Sequence, residues 1–120
     1  MARNTVHFVV DFAIHEGKVD QFEGIAKTMI ADTLKEPGAL VYDFFLSADR
    51  KRCRLLETYA DPNAVLAHCT GPVVQGLVPK MLETSSISGF EVYGDPGAEA
   101  EKILAGVGAE IFLLWYPLGR

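Results

Sequence analysis

The chain has 120 residues, 49% of them hydrophobic and 22% charged, with a formal net charge of −5. That length and mix predict one soluble domain with a modest core. The acidic balance argues against nucleic acid and against an anionic membrane surface as partners, because both demand a basic face.

The one basic cluster, RKRCR at Arg50–Arg54, reads as a solvated turn running into a strand. Cys53 and Cys69 are too few for a disulfide framework and lack metal-ligand spacing, so reduced thiols in a cytoplasmic protein are expected. The opening segment MARNTVHFVV has no long apolar region and no small-residue cleavage site, so no signal peptide is predicted. The apolar run IFLLWY is far too short to span a bilayer.

Residues 5–14, TVHFVVDFAI, alternate as a strand: Val6, Phe8, Val10, Phe12 and Ile14 share an apolar face, while His7, Val9, Asp11 and Ala13 share a mixed one. A helix follows, with Val19, Phe22, Ala26, Met29, Ile30 and Thr33 as its apolar stripe. It stops at Glu36-Pro37-Gly38. ALVYDFFLS (39–47) and CRLLETY (53–59) read as a hairpin of two strands. Asp61 is an N-cap and Pro62 a first helical residue for a short helix ending near Gly71. PVVQGLVPKMLE is a further helical segment in which Pro79 predicts a kink or break. SSISGFEVYG (85–94) is the fourth strand.

The order β-α-β-β-α-β is the split βαβ, ferredoxin-like arrangement, an α+β fold with an antiparallel sheet and helices on one face. Val9, Leu55 and either Tyr42 with Phe44 or Phe45 are candidates for the open face. That face is expected to be too apolar for water, and a second copy of the chain would close it. The tail, 95–120, is expected to add a helix at Ala98–Ala105 and then a buried strand, AEIFLLWY, that joins the sheet or crosses to a partner.

EPGALVYDFF, LLETYADPNAVLAHCTGP and GFEVYG together resemble the antibiotic biosynthesis monooxygenase family of the dimeric α+β barrel superfamily. The resemblance covers residues 5–94, with 95–120 as an extension of a single domain spanning 1–120. Glu57, Tyr59, Asp61, Ala64 and His68 stand where the family's Glu, aromatic, Asp, Ala and His would place them. The resemblance implies a homodimer and a cavity between sheet and helices for a small organic molecule. It also implies, for one branch, oxidation of quinols or polyphenols by molecular oxygen with no cofactor. Another branch degrades haem through an Asn on the first strand and a His on the helix after the short one. Phe12 and Val78 occupy those places, which disfavours that chemistry here.

A cofactor-free oxygenase needs a base, a desolvated pocket and donors for the developing oxyanion. At about 100° per residue, His68 falls between Ala64 and Val65 on its helix and faces inward, where burial favours the neutral imidazole. It is the candidate base, and a core histidine bonded to a backbone carbonyl is the plain alternative. Glu57 is its candidate orienter or a second acid, and an ion pair with a lysine or arginine is the plain alternative. Tyr42 and Tyr59 are candidate donors to a substrate oxygen. His7 and Asp11 lie about 13 Å apart along their strand, too far to form a dyad, though either can line a cavity. Phe44, Phe112 and Trp115 are candidate walls. No phosphate-binding glycine loop, HExxH, Cys/His cluster or Gly-x-Ser-x-Gly elbow is present, and no metal site is expected. An isomerase that uses the same cavity, and a dimeric small-molecule binder without catalysis, remain open alternatives.

Overall fold

A computed structural model of the chain describes residues 4–120. Residues 1–3, the start of the segment read for a signal peptide, lie outside the described residues. Strand β1 (Val6–Ile14) is central and places Val6, Phe8, Val10 and Phe12 in the core. Helix α1 (Val19–Thr33) buries Phe22, Ala26, Met29 and Thr33. Ile30, expected on that stripe, stays half-exposed at its edge. Strands β2 (Ala39–Leu46) and β3 (Arg52–Tyr59) form the hairpin. Helices α2 (Pro62–Cys69) and α3 (Pro72–Thr84) lead to β4 (Ser85–Tyr93), α4 (Ala98–Ala105) and β5 (Glu110–Phe112).

The sheet order is β2-β3-β1-β4-β5. The first four strands pair antiparallel, and β5 adds parallel to β4. The four-strand core is the ferredoxin-like arrangement that its element order predicts.

Register decides which face each residue serves. Phe8 pairs with Glu57, Val10 with Leu55, and Glu57 in turn with Tyr42. Cys53, Leu55, Glu57 and Tyr59 therefore point with the apolar face of β1 toward the helices, and all four are buried. This corrects the placing of Leu55 among the open-face candidates: it alternates with Arg54 and Leu56, and its partners Val10 and Phe44 lie on the helix side. Tyr42 and Phe44 share that side, which leaves Phe45 on the open face.

The open face is more polar than the apolar surface expected. Asp11 receives a two-pronged salt bridge from Arg54, at 2.7 and 3.1 Å, and His7 pairs with Thr58 at 2.9 Å. Both titratable groups that β1 places on this face, His7 and Asp11, find partners on β3.

Two further expectations change. Helix α3 runs through Pro79 without the break, because a proline removes only one donor from the helix. The predicted strand AEIFLLWY shrinks to Glu110–Phe112. Leu113, Leu114, Trp115 and Tyr116 leave the sheet, and Trp115 is 85% exposed. No helix among the described residues is long and apolar enough to cross a membrane.

Candidate active site

The site begins with the helix that carries the histidine. The Asp61 side chain accepts from the Ala64 backbone N–H at 2.8 Å, and Pro62 opens the helix, so α2 starts at a fixed point. Val65 and His68, three residues apart on one face, are buried at 0% and 4% exposure. His68 sits in the last turn, where the negative end of the helix dipole favours an imidazolium once a proton arrives.

Each imidazole nitrogen of His68 faces a different acid. Nδ1 lies 3.1 and 3.2 Å from the two carboxyl oxygens of Glu36. Nδ1–H donating to that carboxylate leaves Nε2 as the lone pair, and Nε2 lies 3.7 Å from Glu57 Oε1. Burial holds the His68 pKa below its ordinary value, with Glu36 working against it. The imidazole is therefore neutral near pH 7, with its basic nitrogen turned toward Glu57.

Glu57 is fully enclosed. Burial pushes its carboxyl up to about 8, against the hydrogen bond that Tyr59 donates to it, with Glu36 adding to the rise. It is thus a protonated acid at neutral pH. Burial first, then the Glu57 charge, raises the hydroxyls of Tyr42 and Tyr59 well above the phenol range, so both remain donors. Tyr59 spends its proton on Glu57. Among the described residues Tyr42 has only the Met29 sulfur, at 4.0 Å, and keeps a donor to offer. Both rings lie 5.2 Å from the imidazole and wedge it in place. Cys69, whose thiol burial pushes up to about 12, is inert beside them.

These groups open on a cavity of about 340 Å³ between the sheet and α2, α3 and α4. Glu57, His68 and Tyr42 line it, among walls such as Phe8, Leu55, Met81 and Phe90. Of the residues singled out in the sequence, the structure brings together His68, Glu57, Tyr42 and, behind Glu57, Tyr59. Phe44 supports Tyr42 edge-on at 5.5 Å from outside the cavity lining. His7 and Asp11 lie on the opposite face of the sheet, because β1 alternates and the cavity takes Phe8, Val10 and Phe12. Trp115 lies in the exposed tail against Tyr116, and Phe112 stacks on Tyr93, so neither walls this cavity.

Glu36 was missed. It sits three residues past the last residue of α1, where a charge before Pro-Gly reads as a solvated end. The signal that marks it is Gly38. A Cβ there would stand 2.5 Å from the Ala64 Cβ, so the turn lies directly on α2. The Gly38 carbonyl also accepts from the Ala60 N–H at 2.9 Å. That close approach delivers Glu36 to His68.

The antibiotic biosynthesis monooxygenase family matches residues 5–80. No curated protein matches significantly. Among solved structures, MupZ from Pseudomonas fluorescens is similar at 25% identity and a TM-score of 0.83, over 98% of this chain and 95% of that one. SnoaB of Streptomyces nogalater, a cofactor-independent oxygenase, shares the fold at 17% identity and a TM-score of 0.68, over 79% of this chain and 96% of its own. Rv0793 from Mycobacterium tuberculosis does so at 21% identity and a TM-score of 0.69, over 78% and 97%. With more than half of its length matched, the chain belongs to the antibiotic biosynthesis monooxygenase family.

Proposed function

We propose that the protein oxidises a small quinol- or polyphenol-like aromatic with molecular oxygen and no cofactor. The observation that carries this reading is the pairing of His68, held by the Glu36 carboxylate, with the buried Glu57 in a cavity walled by apolar side chains. Two titratable groups held apart in this way fit the base and the acid of one reaction.

The steps follow from those two roles. His68 Nε2 takes a proton from the substrate, and Tyr42 donates to the resulting phenolate or enolate oxygen. The anion passes one electron to oxygen, and the radical pair closes a carbon–oxygen bond to give a peroxide. Glu57 protonates the distal peroxide oxygen, and His68 returns its proton to Glu57 across the 3.7 Å gap. His68 then removes the remaining proton from that carbon as the oxygen–oxygen bond breaks. The departing hydroxide takes the Glu57 proton and leaves as water. The substrate supplies all four electrons that O₂ takes up, so a CH₂ and O₂ become a carbonyl and water, and a second return of the proton from His68 to Glu57 restores both groups. SnoaB, a cofactor-independent oxygenase of the same fold, supports the class of reaction.

The acid and base facing each other also suit an isomerase, which moves a proton between two carbons and consumes no oxygen. Labelled oxygen separates the two. With ¹⁸O₂ and a reacting hydroquinone or anthrone, the oxygenase places one label in the product and one in water. Product that carries no label contradicts the proposal.

The same proposal includes a homodimer, supported by Phe45 on the open sheet face and by the exposed apolar tail. It also includes a cytoplasmic location, supported by the free thiols of Cys53 and Cys69.

A further inference from the structure

The cavity changes character from floor to rim. Its floor is buried and polar: Glu57 and His68 are 5% and 4% exposed, with Tyr42 beside them. Its rim is exposed and apolar. Leu82 of α3 and Ile103 and Val107 at the end of α4 line the cavity, yet each is more than a third exposed. Among the described residues no lysine or arginine lines the cavity, so none of them would neutralise an anionic ligand there. Gln75, a polar residue of the wall, commits its amide to the Cys69 carbonyl at 2.7 Å. Helix α4 lies beyond the residues that the family match covers, so the extension itself supplies two of these three rim residues.

A polar floor below an apolar rim is complementary to an uncharged amphiphile. We propose that the substrate carries an aliphatic chain that leaves the cavity over Leu82, Ile103 and Val107, with its hydroxylated head against Tyr42, Glu57 and His68. The placing of the head rests on the reaction proposed above; the path of the chain rests on the rim alone. A chain lying there removes its own surface and that of three half-exposed side chains from water. A compact, unsubstituted ring would leave the rim bare.

The test is calorimetric titration of the intact protein with 4-alkylphenols from ethyl to octyl. Affinity is expected to tighten about fourfold per added methylene once the chain reaches the rim. Ile103→Asp and Val107→Asp should each weaken 4-octylphenol tenfold or more and leave 4-ethylphenol within about twofold. The milder Val107→Ser should show the same pattern with a smaller loss. A flat series overturns the inference. So does a slope that all three variants share with the natural chain, or octanoate binding more tightly than 4-octylphenol. Failure of the reaction itself reads differently: no oxygen uptake with the chain-length slope intact removes the proposed oxidation and leaves this inference standing.

Discussion

Glu57 is the residue whose chemistry reaches furthest into the behaviour of the protein. Its carboxyl titrates near 8 when folded against an ordinary value of 4.5, so the folded state holds a proton that the unfolded state releases. Stability from this group is complete below 4.5 and is lost as pH rises through 8. His68 has the opposite sign. Its folded pKa lies below 6.5, so its contribution changes below 6.5 and is flat above. The window from 6.5 to 8 therefore isolates Glu57, with a loss on the order of 2 kcal/mol. Thermal melts should show the natural chain falling across that window and Glu57→Gln staying level. A level melt for the natural chain contradicts a protonated Glu57. Activity should follow the same groups, with a fall above about pH 8 as Glu57 ionises. Glu36 acts through His68 and is a positioning residue. Glu36→Gln can still accept from Nδ1–H but offers no charge to an imidazolium. It should lower kcat by about a hundredfold with little change in KM, and it should move the acid limb of the pH profile, which a merely structural residue would leave in place.

At the scale of elements, the site depends on how the turn after α1 meets α2. Gly38→Ala sets two Cβ atoms 2.5 Å apart, so α2 must move. A loss of about 1–3 kcal/mol is expected, with reduced kcat as Glu36 and His68 part. Adding Ala64→Gly removes the colliding atom. It should restore activity, although glycine in the helix costs about 1 kcal/mol of its own. If the double variant is as inactive as the single one, the close approach is not what positions Glu36. Gly76 in α3 gives a contrast: a Cβ there meets nothing within 4 Å. Gly76→Ala should raise the melting temperature by roughly 3–5 °C. The same elements show what a sequence can reveal. Alternation and helical period mark β1, α1 and the hairpin, and they place His68 inward, because those signals come from burial alone; Glu57 shares its strand face with Leu55, and only the register with β1 turns both toward the helices. Glu36 does not emerge that way, since its role depends on two turns distant in sequence touching at a glycine. His7 and Asp11 lie on the face of β1 that the sequence marks as mixed, opposite the apolar face that meets the helices and the cavity, so alternation alone argues against them as lining residues. The tail reads as a strand because it is apolar, yet only Glu110–Phe112 finds an edge to pair with.

For the whole molecule, the exposed tail is the outstanding feature. Leu113, Leu114, Trp115, Tyr116 and Leu118 each expose at least half of their surface, and Phe45 does the same on the sheet. Patches of this kind mark association surfaces in soluble proteins. Light scattering at low micromolar concentration should give the mass of two chains, and Leu114→Asp with Trp115→Asp should shift it toward one. A soluble monomer of the natural chain under those conditions contradicts the dimer. The measurement that bears most directly on the central claim is oxygen consumption by metal-stripped protein. It would be followed across hydroquinones and anthrones, with His68→Ala alongside and its fold checked by circular dichroism. Uptake by the natural chain that the folded variant loses, by a hundredfold or more, is the expected result. Equal uptake by a folded His68→Ala would contradict His68 as the base.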